Sequence, residues 1–260
     1  MDLLLKDEVI LITGGSNGIG AAIARGCARE GAIPVIVDKD AAAGNQLQTE
    51  LRAQGNSCSF ICLDLLIAEN CSQAVRQTLQ EFGRLHSLVN NAGTNDRVGL
   101  ETGGPEQYIA SLERNLFHYY NMAHYALPAL KKSKGNIVNI ASKTALTGQG
   151  GTSGYVAAKG AILALTREWA VELLPYEIRV NAVLPAEVMT NVYRQWLSTF
   201  PDPKEKLQQV ISKIPLGKRM TSVDEIAATV LFLLSGQAGH TTGQFLFVDG
   251  GYVHLDRALT

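Results

Sequence analysis

Short apolar runs without polar alternation recur along the chain, and each is followed by a stretch of different character. The runs fall at 9–13, 34–38, 58–63, 87–90, 136–141, 179–184 and 245–248. A strand that is apolar at every position is buried on both faces, which places it in a parallel sheet covered by helices. Helical periodicity follows at 18–30, 41–53, 69–82, about 105–130, 155–174 and 223–234. Repeated βα units with right-handed crossovers wind into one architecture, an α/β doubly wound parallel sheet of about seven strands with helices on both faces.

The 260 residues suit one such domain, and no linker-like or repeated segment divides them. The stretch at about 186–219 lacks the pattern and is flanked or interrupted by prolines at 185, 201, 203 and 215. A segment of that length beyond a strand end is expected to form a lid-like insertion over a substrate.

Composition removes several functions. Lys and Arg number 23 against 24 Asp and Glu, a net charge of -1, so there is no global basic field for nucleic acid. No run approaches the roughly 20 apolar residues of a membrane helix. The N-terminal stretch carries acids and has no basic n-region, so a cytoplasmic protein is expected. Cys27, Cys58, Cys62 and Cys71 form no CxxC pair and have no histidine at ligand spacing. They are expected to be buried reduced thiols, with no metal site.

The first βα turn reads Thr13-Gly14-Gly15-Ser16-Asn17-Gly18-Ile19-Gly20. Glycines allow a tight turn and close approach to a pyrophosphate, which the N-terminus of the following helix attracts. Alone, such a turn is equally a simple connection. Its place in the first βαβ unit favours a dinucleotide cradle and a Rossmann-type fold. Asp38 ends the second run, where a carboxylate accepts from ribose hydroxyls and repels a 2′-phosphate. That favours NAD over NADP, although the adjacent Lys39 is able to tolerate a phosphate. Asp38 is also a plausible strand-end turn residue. Asp64 and Leu65, after the third run, are positioned for an adenine edge or for a turn start.

Tyr155 and Lys159 are spaced i, i+4 and share a helix face. An ammonium beside a phenol favours the phenolate, which suits alcohol–carbonyl interconversion. The same spacing also arises as an ordinary surface pair. Ser142 ends the fifth run, and Asn90-Asn91-Ala92-Gly93 ends the fourth. Strand ends on that edge face the ligand crevice. Asn115 lies among apolar residues in the long helical region and needs a partner, structural or catalytic.

Taken together, these residues and the closing Val248-Asp249-Gly250-Gly251 resemble the short-chain dehydrogenase/reductase family over nearly the whole chain. The resemblance implies an enzyme that passes hydride between a CH–OH group and a nicotinamide cofactor. It makes Tyr155 the general acid/base, with Lys159 on the nicotinamide ribose, Ser142 on the substrate oxygen and Asn115 holding a relay water. It places Asn91, Ala92 and Gly93 beside the cofactor, and Pro185, Val188 and Thr190 near the carboxamide. The family usually has Pro-Gly after the sixth strand. Here Pro185-Ala186 stands instead, so the loop is expected to take a somewhat different path.

Within that family the segments SLERNL (111–116), SKTA (142–145), TGQG (147–150), LTREWA (165–170), PAEVMT (185–190) and GGYVHLDRAL (250–259) are similar to bacterial L-fucose dehydrogenases. That implies oxidation of the anomeric C1 hydroxyl of an aldose to a lactone. Asn95, Asp96, Lys143, Gln149, Glu187 and Arg194 are the candidate sugar contacts, since a polyol needs several directional polar partners. The alternative is a carbonyl reductase or hydroxysteroid dehydrogenase of the same family, which needs a mostly apolar cleft. Family members are commonly tetramers. A homotetramer is therefore expected, with Asp256 or Arg257 of the tail reaching a neighbouring subunit.

Overall fold

Every apolar run forms a strand in the computed structural model, which describes residues 2–255. In chain order the elements begin β1 (Val9–Thr13), α1 (Gly18–Arg29), β2 (Ile33–Asp38), α2 (Ala41–Ala53), β3 (Ser59–Cys62), α3 (Ala68–Phe82) and β4 (Ser87–Asn90). There follow α4 (Pro105–Leu112), a π-helical turn at Glu113–Phe117, α5 (His118–Ser133), β5 (Asn136–Ile140), α6 (Thr144–Thr147) and α7 (Ser153–Glu172). The chain continues through β6 (Arg179–Pro185), α8 (Asn191–Leu197), α9 (Pro203–Ile211), α10 (Val223–Leu234) and β7 (Phe245–Val248).

The sheet has seven parallel strands in the order β3-β2-β1-β4-β5-β6-β7. The chain winds outward from β1 to β3, then returns to lay β4 on the other side of β1. That reversal opens a crevice above the C-terminal ends of β1 and β4. Alternate residues of β1 enter different apolar layers. Val9 and Leu11 pack with Leu88, Tyr119, Met122 and Leu130. Ile10 and Ile12 pack with Ile23, Val230 and Leu233 from α1 and α10. Burial of both faces is the reason the strands carry no polar alternation.

The edge strands depart from that rule. All four residues of β7 are only partly buried, and β3 ends on the exposed Cys62. The expectation of four buried thiols therefore holds for Cys27, Cys58 and Cys71 and fails for Cys62, because an edge strand end lacks a covering helix. The 186–219 stretch is also more regular than its sequence suggests, since α8 and α9 lie within it. Among the described residues no helix is long and apolar enough to cross a membrane. The tail residues Asp256 and Arg257, expected at a subunit contact, lie outside the described residues.

Candidate active site

The glycine turn needs its glycines at identifiable points. Gly14 has φ +61°, and a Cβ there would stand 2.8 Å from the Ala92 Cα. A Cβ on Gly20 would run into the Gly14 carbonyl. The turn is pinned to the end of β4 by Thr13, whose Oγ1 accepts from the Asn91 N–H at 2.9 Å and the Ala92 N–H at 3.1 Å. The Asn91 amide donates in return to the Thr13 and Gly14 carbonyls, each at 3.0 Å. Asn91 thus braces the turn with its side chain.

The turn fits an anionic ligand. The Ser16 hydroxyl is buried without a hydrogen-bond partner. No side chain caps the N-terminus of α1, whose N-cap residue is Asn17. Free amides at a helix start, beside an unpaired hydroxyl, are what a phosphate requires. Replacing Gly14 with Ala is expected to weaken nicotinamide dinucleotide binding by roughly tenfold or more, because the Cβ adds backbone strain and a clash with Ala92. Titration of nucleotide against intrinsic fluorescence reads this directly. Unchanged affinity would mean that the turn is not the cradle.

Asp38 ends β2 facing this turn. One carboxylate oxygen accepts from the Ser16 N–H and the other from the Asp40 N–H, both at 3.1 Å. The Lys39 ammonium is exposed and lies 3.8 Å from Asp64. Leu65 is buried in the core, and Asp64 holds the Leu66 N–H at 3.1 Å. On the far side, the Thr190 methyl lies 3.4 Å from where a Gly18 side chain would begin. The loop after Pro185-Ala186 therefore still reaches the glycine turn, with Val188 buried behind it.

Ser142, Tyr155 and Lys159 converge beyond the ends of β4 and β5. Tyr155 lies in the first turn of α7, with its phenol beside Ser142. Thr144 donates to the Ser142 Oγ at 3.0 Å and fixes its rotamer. The Lys159 ammonium is buried and donates to the Ile140 carbonyl at 2.8 Å and the Tyr119 hydroxyl at 3.0 Å. It sits 5.6 Å from the centre of the Tyr155 ring. Burial pushes the Tyr155 phenol up to about 12, opposed by Ser142. Burial pushes Lys159 down to about 7. The ammonium is thus engaged with Tyr119 and a carbonyl, and burial is the larger influence on the Tyr155 phenol.

Asn115 lies within the π-helical turn and is wholly buried. Its Oδ1 accepts from the Thr94 N–H at 2.8 Å, and its amide donates to the Ser111 carbonyl at 3.0 Å. A Cβ on Gly93 would stand 2.9 Å from that Oδ1 and 3.7 Å from the Lys159 Nζ. Asn115, Gly93 and Lys159 therefore share one small space. A π turn inside a helix often marks such a site, because the extra residue redirects a side chain.

The candidate sugar contacts divide into groups. Lys143 and Glu187 form an ion pair beside Ser142. Asp96 is occupied by the Ser111 hydroxyl and Arg114, each at 2.9 Å, while Asn95 holds the Arg97 N–H at 3.1 Å. Gln149 is exposed in a glycine-rich loop, and Arg194 is exposed on α8, bonded to Asn191 at 3.0 Å. Three tyrosines escaped the sequence reading. Tyr119 links Lys159 to β5, with its hydroxyl donating to the Ile140 carbonyl at 2.9 Å. Tyr193 and Tyr252 flank the Lys143–Glu187 pair. Only Tyr119 had a local signal, as a phenol at i+4 from Asn115 on the same helical stretch.

A phosphate cradle and a proton-transfer group meet in one crevice, as a dinucleotide-dependent oxidoreductase requires. A family profile described as enoyl-(acyl carrier protein) reductase matches residues 14–253. The L-fucose dehydrogenase of Bos taurus is 37% identical over 245 residues, 94% of this chain and 88% of that protein. The L-rhamnose 1-dehydrogenase (NAD(P)+) of Azotobacter vinelandii is 34% identical over 97% of this chain and 100% of that one. The crystal structure of another dehydrogenase, 47% identical, covers 99% of this chain and 98% of its own with a TM-score of 0.94. The chain belongs to the short-chain dehydrogenase/reductase family, whose members use nicotinamide cofactors.

Proposed function

We propose that this protein oxidises the anomeric C1 hydroxyl of an aldose of the L-fucose type to the lactone, using NAD. The observation that carries the reading is an ion pair, Lys143–Glu187, one residue along the chain from the Ser142–Tyr155 contact. A steroid alcohol needs an apolar wall there, whereas a sugar needs directional donors and acceptors. The relatives that act on L-fucose and L-rhamnose by name agree with it.

Gly14 to Gly20 and Ser16 would hold the pyrophosphate, Asp38 the adenosine ribose, and Tyr155 and Lys159 the nicotinamide ribose. Asp64, Leu65, Asn91, Ala92, Gly93, Pro185, Val188 and Thr190 complete the proposed cofactor contacts. Bound there, the oxidised nicotinamide supplies the acceptor for the C1 hydride. Ser142 orients the C1 oxygen. Tyr155 takes the hydroxyl proton as the C–O bond becomes the lactone carbonyl. Asn115 holds a water that passes the proton outward past Lys159. Asn95, Asp96, Gln149 and Arg194 are proposed outer contacts of the sugar, with 186–219 as the lid. The Asp38 carboxylate disfavours a 2′-phosphate, and Lys39 leans toward Asp64, which favours NAD.

Absorbance of reduced nicotinamide against a panel of aldoses, with a steroid alcohol as control, tests the reading. L-Fucose turnover with NAD, at least about tenfold above NADP in kcat/KM, is the expected result. Turnover of the steroid alone would discard the sugar site, and preference for NADP would discard the Asp38 assignment.

A further inference from the structure

Lys143 is 6% exposed, and its ammonium bonds Glu187 while lying 3.8 Å from the centre of the Tyr252 ring. The Tyr193 phenol lies beside the same carboxylate. These four residues come from four separate parts of the chain. Lys143 follows β5, Glu187 follows β6, Tyr252 follows β7, and Tyr193 sits in α8. Asp249 sets the position of Tyr252, since its carboxylate accepts from the Gly251 N–H at 2.8 Å and the Val253 N–H at 2.9 Å on either side of it.

Stability does not account for such a cluster. Burying an ion pair loses hydration that the pair's attraction seldom recovers, and an apolar pair of the same volume serves a fold as well or better. The pair is also incompletely satisfied. An ammonium has three N–H donors. Among the described residues one is spent on Glu187, the Tyr252 face takes no conventional hydrogen bond, and no other acceptor is bonded. The Glu187 side chain keeps 17% of its surface open. Glu187 therefore keeps spare accepting capacity, and Lys143 at least one donor, side by side next to Ser142.

We propose that the Lys143–Glu187 pair, held by Tyr193 and Tyr252, is the specificity-determining subsite that reads two neighbouring hydroxyls of the sugar. This rests on the aldose reading above. One hydroxyl donates to Glu187 and the next accepts from Lys143, so the pair recognises a vicinal diol as a unit. Glu187 and Tyr193 both lie on the proposed lid, so the Lys143–Glu187 bond also couples lid position to the subsite.

The test compares kcat/KM for the best aldose of the panel with its mono-deoxy analogues, in the wild type and in Glu187→Gln, Lys143→Met and the double variant. The wild type should reject at least one analogue by about 100-fold, the scale of a hydrogen bond to a charged partner. That rejection should fall below about tenfold in either single variant, and the double variant should lose no more than the worse single one. Tyr193→Phe removes one oxygen and should lower the rejection about threefold while preserving the fold. A merely structural pair would slow every substrate alike and leave the ratios unchanged. Retained rejection in Glu187→Gln and Tyr193→Phe overturns the subsite and leaves the sugar reading standing. A wild type that oxidises no aldose overturns both.

Discussion

Replacing Tyr155 with Phe is expected to lower kcat by about 1,000-fold, within the range that positioned proton transfer contributes. The substitution removes one oxygen and leaves the ring in place, so nucleotide should still bind, weakened by no more than the one ribose hydrogen bond, up to about tenfold. The stronger signature is pH dependence. Burial pushes the phenol up to about 12. A general base whose proton is held that tightly is mostly in its inactive form at neutral pH. In the wild type, kcat/KM for alcohol oxidation should therefore climb with pH through the neutral and mildly alkaline range, as the phenolate fraction grows about tenfold per unit. In Tyr155→Phe that slope should vanish along with the rate. Initial rates across about pH 6 to 10 measure both effects. A variant that keeps the wild-type rate, or keeps the slope after losing the rate, would remove Tyr155 from the chemistry.

Much of this architecture was legible before any coordinates. The unbroken apolar runs mark β1 and β2, because strands covered on both sides admit no polar alternation. The helix Val223–Leu234 is announced by Ser222 and Glu225, which form a capping box in the structure. Asp202 and Pro203 carry the same kind of helix-start signal for α9, and Leu207, Val210 and Ile211 recur at helical spacing, yet the surrounding prolines obscured both. The π turn at Glu113–Phe117 was invisible, since its apolar spacing continues that of α4 and α5. A one-residue change in hydrogen-bonding step leaves almost no trace in composition.

At the site, the residues that carry local spacing were readable, and those defined by tertiary contact were not. The glycine turn, Ser142 and Tyr155-x-x-x-Lys159 each have a sequence pattern. Tyr193 and Tyr252 do not, since they meet Lys143 and Glu187 only when the ends of β5, β6 and β7 come together. The i, i+4 spacing also leaves the lysine's own partners unread. It brings Lys159 to the correct face of α7, but the nearest oxygens there belong to Ile140 and Tyr119.

That placement has a consequence for stability. Lys159 is an ammonium with no carboxylate partner among the described residues, and desolvation pushes it from 10.5 down to about 7. Between those values the unfolded chain binds a proton that the folded chain does not, so this residue makes stability rise with pH. Below about 7 both states are protonated, and the folded state carries the full penalty of a buried charge. Lys159→Met removes that charge and keeps a flexible apolar chain in its place. The Ile140 carbonyl is not orphaned, because the Tyr119 hydroxyl still donates to it at 2.9 Å. After allowing for the two hydrogen bonds lost, the variant should be more stable than the wild type by about 2 kcal/mol at pH 6, a rise of roughly 4–8 °C in Tm. The gain should shrink by about 1.4 kcal/mol per pH unit above about 7, cross zero at about pH 8.5, and turn into a loss by 10.5, where lysine is neutral in both states and only the missing hydrogen bonds count. Turnover should meanwhile fall at least about 100-fold, since the residue that destabilises the fold also orders the proposed proton path. Thermal unfolding at a series of pH values, beside initial rates, distinguishes the alternatives. A variant that is less stable at pH 6, or whose Tm difference does not change with pH, would show that Lys159 is held in place by its bonds and carries no buried-charge penalty.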